Sequence, residues 1–164
     1  MADAAICQEG CGSCRYHGAM AGRYEIEREL GRGGMGAVYL ARDRLLGRRV
    51  AVKLIQGEAH PEVVRRFVQE ARATGALDHP AIVPTYTINR DGRNLYFTME
   101  ALEGRTLGDA IRAGDVPLAD LVRSLADVAR GVAYAHERGL VHRDLKSANV
   151  MLTREGEVRI LDWG

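Results

Sequence analysis

A glycine-rich run at residues 31–36 (GRGGMG) most constrains how this chain can fold. Its four glycines let the backbone turn sharply and approach a phosphate group closely. Residues 24–30 alternate apolar and polar side chains as a half-buried strand does, and residues 38–40 (VYL) are β-branched and aromatic. The dinucleotide-binding fold shares the G-x-G-x-x-G spacing but requires a helix directly after the last glycine. The run therefore favours a strand–loop–strand hairpin; taken alone, it leaves a plain hairpin without a ligand as the alternative.

Lysine use is a second constraint. Of the 23 basic residues, 21 are Arg and only Lys53 and Lys146 are Lys. Lys53 lies in the strand-like segment 49–55 (RVAVKLI), and Lys146 lies in residues 141–150 (VHRDLKSANV). The planar guanidinium of Arg and the compact ammonium of Lys are not interchangeable in a narrow phosphate site. The two lysines therefore indicate phosphate contacts, and chance placement is the alternative.

Residues 141–150 concentrate polar chemistry in one loop. Asp144, Lys146 and Asn149 offer a general base, a phosphate-binding ammonium and a metal-binding oxygen. Residues 150–152 and 158–161 read as a short hairpin, which brings Asn149 and Asp162 together as two oxygen donors suited to Mg²⁺. A solvated charged loop is the alternative interpretation.

These segments together resemble the motifs of eukaryotic-type serine/threonine protein kinases, in a bacterial-like form: the glycine-rich loop, Val-Ala-Val-Lys, His-Arg-Asp-Leu-Lys and Asp-Trp-Gly. The resemblance implies an α+β, protein-kinase-like fold. A small lobe of a five-stranded antiparallel sheet plus one helix is joined to the start of a helical large lobe. The resemblance covers residues 24–164 and predicts a truncated domain. Ser147 and Trp163 depart from the family, which usually has Pro and Phe there.

The resemblance also assigns site residues. Asp144 orients the substrate hydroxyl and accepts its proton, Lys146 steadies the transferring phosphoryl group, and Asn149 and Asp162 bind Mg²⁺. His142 and Arg143 support the loop. Met99 closes the back of the adenine pocket, and residues 100–102 form the hinge that bonds adenine. The residues expected around ATP are Leu30, Gly31, Gly33, Gly34, Gly36, Val38, Ala51, Lys53, Glu70, Met99, Glu100, Leu102 and Met151.

Periodicity predicts the helices. A helix beginning at Pro61 and running towards residue 78 carries Glu70 at the border of its apolar face. That border makes Glu70 the acid best placed to meet Lys53, with Glu62 as the alternative. A short helix is expected over residues 106–112 and a long one over residues 117–138. The apolar stripe of the long helix comprises Leu118, Leu121, Val122, Leu125, Val128, Ala129, Val132 and Ala133, with His136 packing on or near it. A hairpin of residues 82–88 and 94–99, turning at residues 89–92, completes the sheet.

The expected organisation is a tail at residues 1–22, a small lobe at 23–99, a hinge at 100–104 and a partial large lobe at 105–164. The tail holds Cys7, Cys11, Cys14 and His17, which are either free thiols in a disordered segment or a set of Zn²⁺ ligands. In a truncated large lobe, the long helix is expected to expose apolar surface, which invites aggregation or a covering partner.

The sequence thus predicts ATP- and Mg²⁺-dependent phosphorylation of Ser/Thr hydroxyls on protein substrates. A non-catalytic ATP-binding or scaffold fragment is the alternative, and a small-molecule phosphotransferase of related fold is a third possibility. The net charge of +1 gives no reason to expect nucleic acid as a partner. No apolar run approaches the roughly 20 residues that span a bilayer, and the N-terminus lacks a signal pattern, so a cytoplasmic chain is expected.

Overall fold

The structure is a computed structural model that describes residues 22–33, 36–55 and 59–163. Gly34 and the four candidate zinc ligands of the tail lie outside the described residues. The strands are β1 (Tyr24–Gly33), β2 (Gly36–Asp43), β3 (Arg48–Ile55), β4 (Thr85–Asp91), β5 (Asn94–Glu100), β6 (Gly104–Thr106), β7 (Val150–Thr153) and β8 (Val158–Ile160). The helices are α1 (Pro61–Gly75), α2 (Leu107–Ala113) and α3 (Leu118–His136), with a 3₁₀ turn at Ser147–Asn149.

The first sheet has five strands in the order β1-β2-β3-β5-β4, and every neighbouring pair is antiparallel. Its central strand β3 is buried without a break from Val50 to Ile55, as expected for a strand covered on both faces. Helix α1 packs on one face, where Phe67 stacks on Phe97 of β5 with ring centroids 4.9 Å apart. The predicted five-stranded antiparallel sheet with one helix is confirmed.

Two boundaries of the predicted β4–β5 hairpin were wrong. Strand β4 continues to Asp91, so the turn lies at Gly92-Arg93, where Gly92 has φ 56°. A two-residue hairpin turn requires positive φ, which Gly supplies. Strand β4 also begins at Thr85 rather than at residue 82. Pro84 explains the late start because Pro has no N–H to donate to a ladder. Ile82 instead forms an isolated parallel bridge with Ile160 of β8.

A second sheet has three strands in the order β6-β7-β8. Its first strand, β6, follows β5 in the sequence and was not predicted. Strand β6 begins at Gly104, which has φ 158°. A Cβ added at this position would overlap the Leu152 carbonyl of β7, so the close approach of these two strands requires glycine. This sheet carries the loop of residues 141–150 and the segment that contains Asp162.

Helix α3 begins and ends within two residues of its prediction, but its predicted apolar stripe is split between two faces. Ser124, Val128, Gly131 and Ala135 are buried, whereas Leu118, Val122 and Leu125 are exposed. The expected exposure of apolar surface on this helix is therefore confirmed. The predicted packing of His136 was wrong, since its side chain is exposed.

Small residues determine which face of α3 is buried. A Cβ added at Gly131 would lie 3.0 Å from the Ile160 side chain and 3.2 Å from Ala81. The helix therefore approaches β8 and the segment after α1 closely along its small-residue face. None of the helices in the described part of the chain has the length and hydropathy that a bilayer span requires.

Identical substitutions at two leucines test this burial pattern. Leu54 of β3 is 0% exposed and Leu125 of α3 is 55% exposed. We expect Leu54→Ala to lower the free energy of unfolding by about 2–5 kcal/mol, because it leaves a cavity in the sheet core. Leu125→Ala should change it by no more than about 0.5 kcal/mol. Urea denaturation measures both, and equal losses would contradict the assignment of the two faces.

Candidate active site

A large cleft opens between the five-stranded sheet and the second sheet. Its volume of about 1700 Å³ exceeds the roughly 300–1,000 Å³ of an ordinary small-ligand pocket, so a nucleotide fits within it. Predicted site residues that line this cleft are Leu30, Gly31, Val38, Ala51, Met99, Glu100, Leu102, Met151 and Asp162. They come from β1, β2, β3, β5, the segment after β5, and the second sheet with the residues that follow it.

The glycines of the first hairpin differ in their surroundings. Gly36 has φ 129°, and a Cβ added there would overlap the Leu54 carbonyl of β3, so this position requires glycine. Gly31 and Gly33 are exposed, and an added Cβ would meet nothing within 4 Å. Close contact with β3 therefore explains Gly36, whereas Gly31, which lines the cleft, and Gly33 have open space where a side chain would lie.

Lys53 lies where α1, β3 and the end of the second sheet meet. Its Nζ donates to Glu70 Oε1 at 2.6 Å and to Asp162 Oδ1 at 2.8 Å. The predicted pairing of Lys53 with Glu70 is confirmed. Glu62, the alternative partner, instead accepts from Arg65 and Arg66 at the first turn of α1.

Burial at this ion pair is nearly complete. The side chains of Lys53 and Glu70 are 8% and 3% exposed. Glu70 thus lies on the buried face of α1 with Phe67 and Ala71, and its predicted position at the border of that face was wrong. We predict charged residues at the border of an apolar helix face because burying an unpaired charge in the protein interior is costly. Lys53 supplies the partner that makes the buried position tolerable.

The two charges respond differently to this burial. Desolvation raises the pKa of Glu70 to about 7, although Lys53 opposes the shift. Desolvation also disfavours the charged form of Lys53, but the carboxylates of Glu70 and Asp162 outweigh it and raise the Lys53 pKa. The second carboxylate oxygen of Glu70, Oε2, has no hydrogen-bond partner among the described residues. Lys53 is therefore firmly protonated, whereas Glu70 titrates near neutral pH.

The loop of residues 141–150 gathers its polar groups around Asp144. Lys146 Nζ donates to Asp144 Oδ2 at 2.7 Å. The side-chain amide of Asn149 donates to the Asp144 carbonyl oxygen at 2.9 Å and to Oδ2 at 3.2 Å. The hydrogen bond from Lys146 is the main cause that lowers the Asp144 pKa, and Asn149 adds to it. The exposed Asp144 carboxylate is consequently ionised at neutral pH.

His142 joins this loop to the segment that carries Asp162. Its buried ring lies with Nε2 2.8 Å from the Leu161 carbonyl oxygen, which can only accept, so Nε2 carries the proton. The ring also packs against buried Trp163 at a tilt of 44°, with centroids 4.7 Å apart. Arg143 and Asp162 have positive φ values of 65° and 52°, which are uncommon for residues other than glycine. Such backbone strain persists where surrounding contacts enforce it, often at functional sites.

The chemistry of Asn149 and Asp162 fits a Mg²⁺ ion. The Leu161 N–H donates to the Asn149 carbonyl at 2.8 Å, so the backbones of the two segments are adjacent. The side-chain nitrogen of Asn149 faces Asp144, so its side-chain oxygen is left to coordinate a metal ion. The Asp162 side chain is 47% exposed. Within the described ranges, no three His, Cys, Asp or Glu side chains are placed to hold a metal ion. A cation here would therefore need oxygens from water or a bound phosphate as well.

One contact at the cleft had no signal in the sequence. Arg159 of β8 donates from Nε to Glu100 Oε2 at 3.2 Å, and its guanidinium also lies 2.8 Å from Glu157. An Arg in a short strand ordinarily indicates an exposed edge position. Its partner Glu100 lies 59 residues earlier, so no local spacing rule connects the two.

Comparisons with known proteins agree with this geometry. The family model described as protein kinase domain matches residues 24–164. The chain is 40% identical over 156 residues to serine/threonine-protein kinase PknD of Protochlamydia amoebophila (strain UWE25), covering 86% of this chain and 16% of that protein. It is 40% identical over 153 residues to serine/threonine-protein kinase PknA of Mycobacterium tuberculosis (strain ATCC 25618 / H37Rv), covering 88% of this chain and 36% of that protein.

A solved structure shows the same fold. The crystal structure of the Mycobacterium tuberculosis PknI kinase domain superposes with a TM-score of 0.73 at 28% sequence identity. The match covers 89% of this chain and 61% of that one. The chain therefore spans less than two thirds of each of these three proteins.

The raised pKa of Glu70 predicts a pH-dependent stability. Between about pH 4.3 and pH 7, folded Glu70 holds a proton that an unfolded Glu has lost, so its contribution to stability falls as pH rises. We expect the free energy of unfolding of the wild type to decrease relative to that of Glu70→Gln between about pH 5 and pH 7.5. Denaturant titrations at several pH values measure this difference.

Glu62→Gln is the matched control. Hydrogen bonds from Arg65 and Arg66 lower the pKa of Glu62 to about 2, so its titration is complete below this pH range. The difference between wild type and Glu62→Gln should stay constant over the same interval. A constant difference for Glu70→Gln as well would show that Glu70 ionises normally.

Proposed function

Because this chain belongs to the protein kinase domain family, we propose that it binds ATP with Mg²⁺ and transfers the γ-phosphoryl group to Ser or Thr hydroxyls of a protein substrate. The observation that carries the proposal is the buried ammonium of Lys53 between Glu70 and Asp162, the second of which lines the cleft. The family's nucleotide site uses a strand Lys paired with a helix Glu in this way. Similarity to two proteins named as serine/threonine-protein kinases supports the choice of acceptor hydroxyl.

Adenine would lie between apolar walls from both sheets. Leu30, Val38, Ala51, Met99 and Met151 all line the cleft. The first three would cover one face of the base and Met151 the other, and Met99 would close the back. Backbone groups after β5 would bond the base. The Glu100 N–H already donates to the Pro84 carbonyl at 3.1 Å, so the donor to adenine would come from further along the hinge, at Leu102.

Phosphate binding would change the partners of Lys53. Its ammonium would contact the α- and β-phosphates while keeping Glu70. Asp162 would release Lys53 and, with the oxygen of Asn149, hold Mg²⁺. The metal would neutralise charge on the phosphate oxygens when bound. The glycines at positions 31, 33, 34 and 36 would leave room for the phosphates beneath the first hairpin.

The ionised carboxylate of Asp144 would accept a hydrogen bond from the substrate hydroxyl and take its proton during transfer. Its lowered pKa makes it a weak base, so its main contribution would be the orientation of that hydroxyl. Lys146, which now donates to Asp144, would extend to the transferring phosphoryl oxygens. Both side chains are exposed, so a protein substrate can approach them.

A non-catalytic ATP-binding or scaffold role is the second candidate. The exposed apolar residues Leu118, Val122 and Leu125 of α3 favour it, because they offer a surface for a partner. We further propose the lobe boundaries 23–99 and 105–164 around a hinge at residues 100–104. A cytoplasmic setting without nucleic acid as a ligand completes the proposal.

The variant Asp144→Asn separates the two candidates. We expect it to reduce transfer of radiolabelled phosphate to Ser- or Thr-containing protein by about 100-fold or more, because the hydroxyl loses its acceptor. ATP affinity should remain within about threefold, since Asp144 lies outside the set of residues that hold the nucleotide. Wild-type transfer no greater than that of the variant, with ATP still bound, would favour the non-catalytic role.

The variant Asp162→Asn tests the metal. With Mg²⁺ present, we expect its ATP affinity to fall by about tenfold or more, because one of two oxygen ligands loses its charge. With a chelator in place of Mg²⁺, the loss should vanish or reverse, since Lys53 is then released from a competing carboxylate. Calorimetric titration measures both conditions. An equal loss with and without Mg²⁺ would remove Asp162 from the metal site.

A further inference from the structure

The ion pair between Arg159 and Glu100 connects the two sheets beside the cleft. Glu100 is the last residue of β5, and Arg159 is the middle residue of β8. Their side chains are 33% and 17% exposed, so water screens this pair less than it screens the surface ion pairs of the chain. Contacts with its neighbours in the chain also hold the Arg159 side chain, which donates to the Val158 carbonyl and contacts Glu157.

Each partner has a fixed backbone. Glu100 pairs with Val50 of β3, and its N–H donates to the Pro84 carbonyl. Arg159 pairs with Met151 of β7, a residue that lines the cleft. The side-chain contact therefore joins the strand that leads into the hinge to the strand pair that forms the opposite wall.

A second attachment lies one residue away. Ile160 of β8 donates its N–H to the Ala81 carbonyl at 2.7 Å and accepts from the Val83 N–H at 3.2 Å. This backbone contact holds β8 to the segment that leads into β4, and the Lys53–Asp162 ion pair holds the residues after β8 to β3. The contact of Arg159 with Glu100 adds an attachment to the end of β5, beside the hinge, where neither of the other two contacts acts.

We propose that Arg159 is a positioning residue for nucleotide binding, which acts through Glu100 to set the separation between the hinge and Met151. This proposal rests on the proposed function, because the space so defined is the expected adenine site. Arg159 would not touch the nucleotide. Its removal should weaken recognition of the base and leave recognition of the phosphates intact.

The comparison of adenosine with ATP tests this division. We expect Arg159→Ala to weaken binding of both ligands by the same factor of roughly ten, the loss typical of removing a charge-assisted hydrogen bond. Lys53→Met should weaken ATP binding by a larger factor than adenosine binding, because Lys53 would contact the phosphates. Arg159→Lys keeps one donor and should give an intermediate affinity for both ligands.

Arg65→Ala is the control. Arg65 lies in the first turns of α1 and contacts Glu62 at 2.7 Å, with its side chain 61% exposed, and neither residue lines the cleft. An exposed ion pair contributes little, so this variant should bind both ligands as the wild type does. Unchanged adenosine binding by Arg159→Ala would overturn the proposal, as would an equal loss in Arg65→Ala.

The variant Glu100→Gln gives an independent result and remains available if Arg159→Ala does not fold; if both fold, they complete a double-mutant cycle. Glu100→Gln alone should reproduce the loss of adenosine affinity, and the double variant should bind no more weakly than either single variant. Additive losses would overturn the proposal. A wild type that binds neither ligand would overturn the proposed function itself, whereas wild-type binding with unaffected variants would overturn only the role of Arg159.

Discussion

The rest of the site depends on one buried ammonium shared by two carboxylates. Lys53 comes from the central strand of the first sheet, Glu70 from the helix on that sheet, and Asp162 from the end of the second sheet. An isolated charge in such a place would be expelled or neutralised. The carboxylates of Glu70 and Asp162 together keep the Lys53 pKa raised against desolvation, so its charged, buried state connects three separate elements.

This ion pair orders the site without being a strong source of stability. Buried pairs often gain less from attraction than they lose in hydration, and the raised pKa of Glu70 is a sign of that balance. Glu70 Oε2, which has no hydrogen-bond partner among the described residues, and the positive φ of Asp162 also indicate that the arrangement is not optimised for stability. The arrangement keeps Asp162 close to Lys53 through a contact that a bound cation could replace.

The sequence predicted best those features that depend on residues close together in the chain. Neighbouring residues define the glycine hairpin and the loop at Asp144. The 3.6-residue period of α1 put Glu70 next to the apolar face of the helix, which was enough to identify it as the partner of Lys53. The buried face of α3 was harder to predict. A pattern of large apolar residues does not reveal that Gly131 is buried because of its small size. The contact of Arg159 with Glu100 joins distant segments, and no spacing within either segment indicates it.

The burial of α3 separates the cleft from the exposed apolar surface. The helix supports β8 through Gly131 and Ala135, so the wall of the cleft rests on its small-residue face. Leu118 and Leu125 project from the opposite face and make no contribution to that support. A partner that bound those leucines would therefore not need to move the residues around Lys53. In the proposed function, nucleotide binding would depend on the contacts between the two sheets, and association with a partner would depend on the outer face of α3.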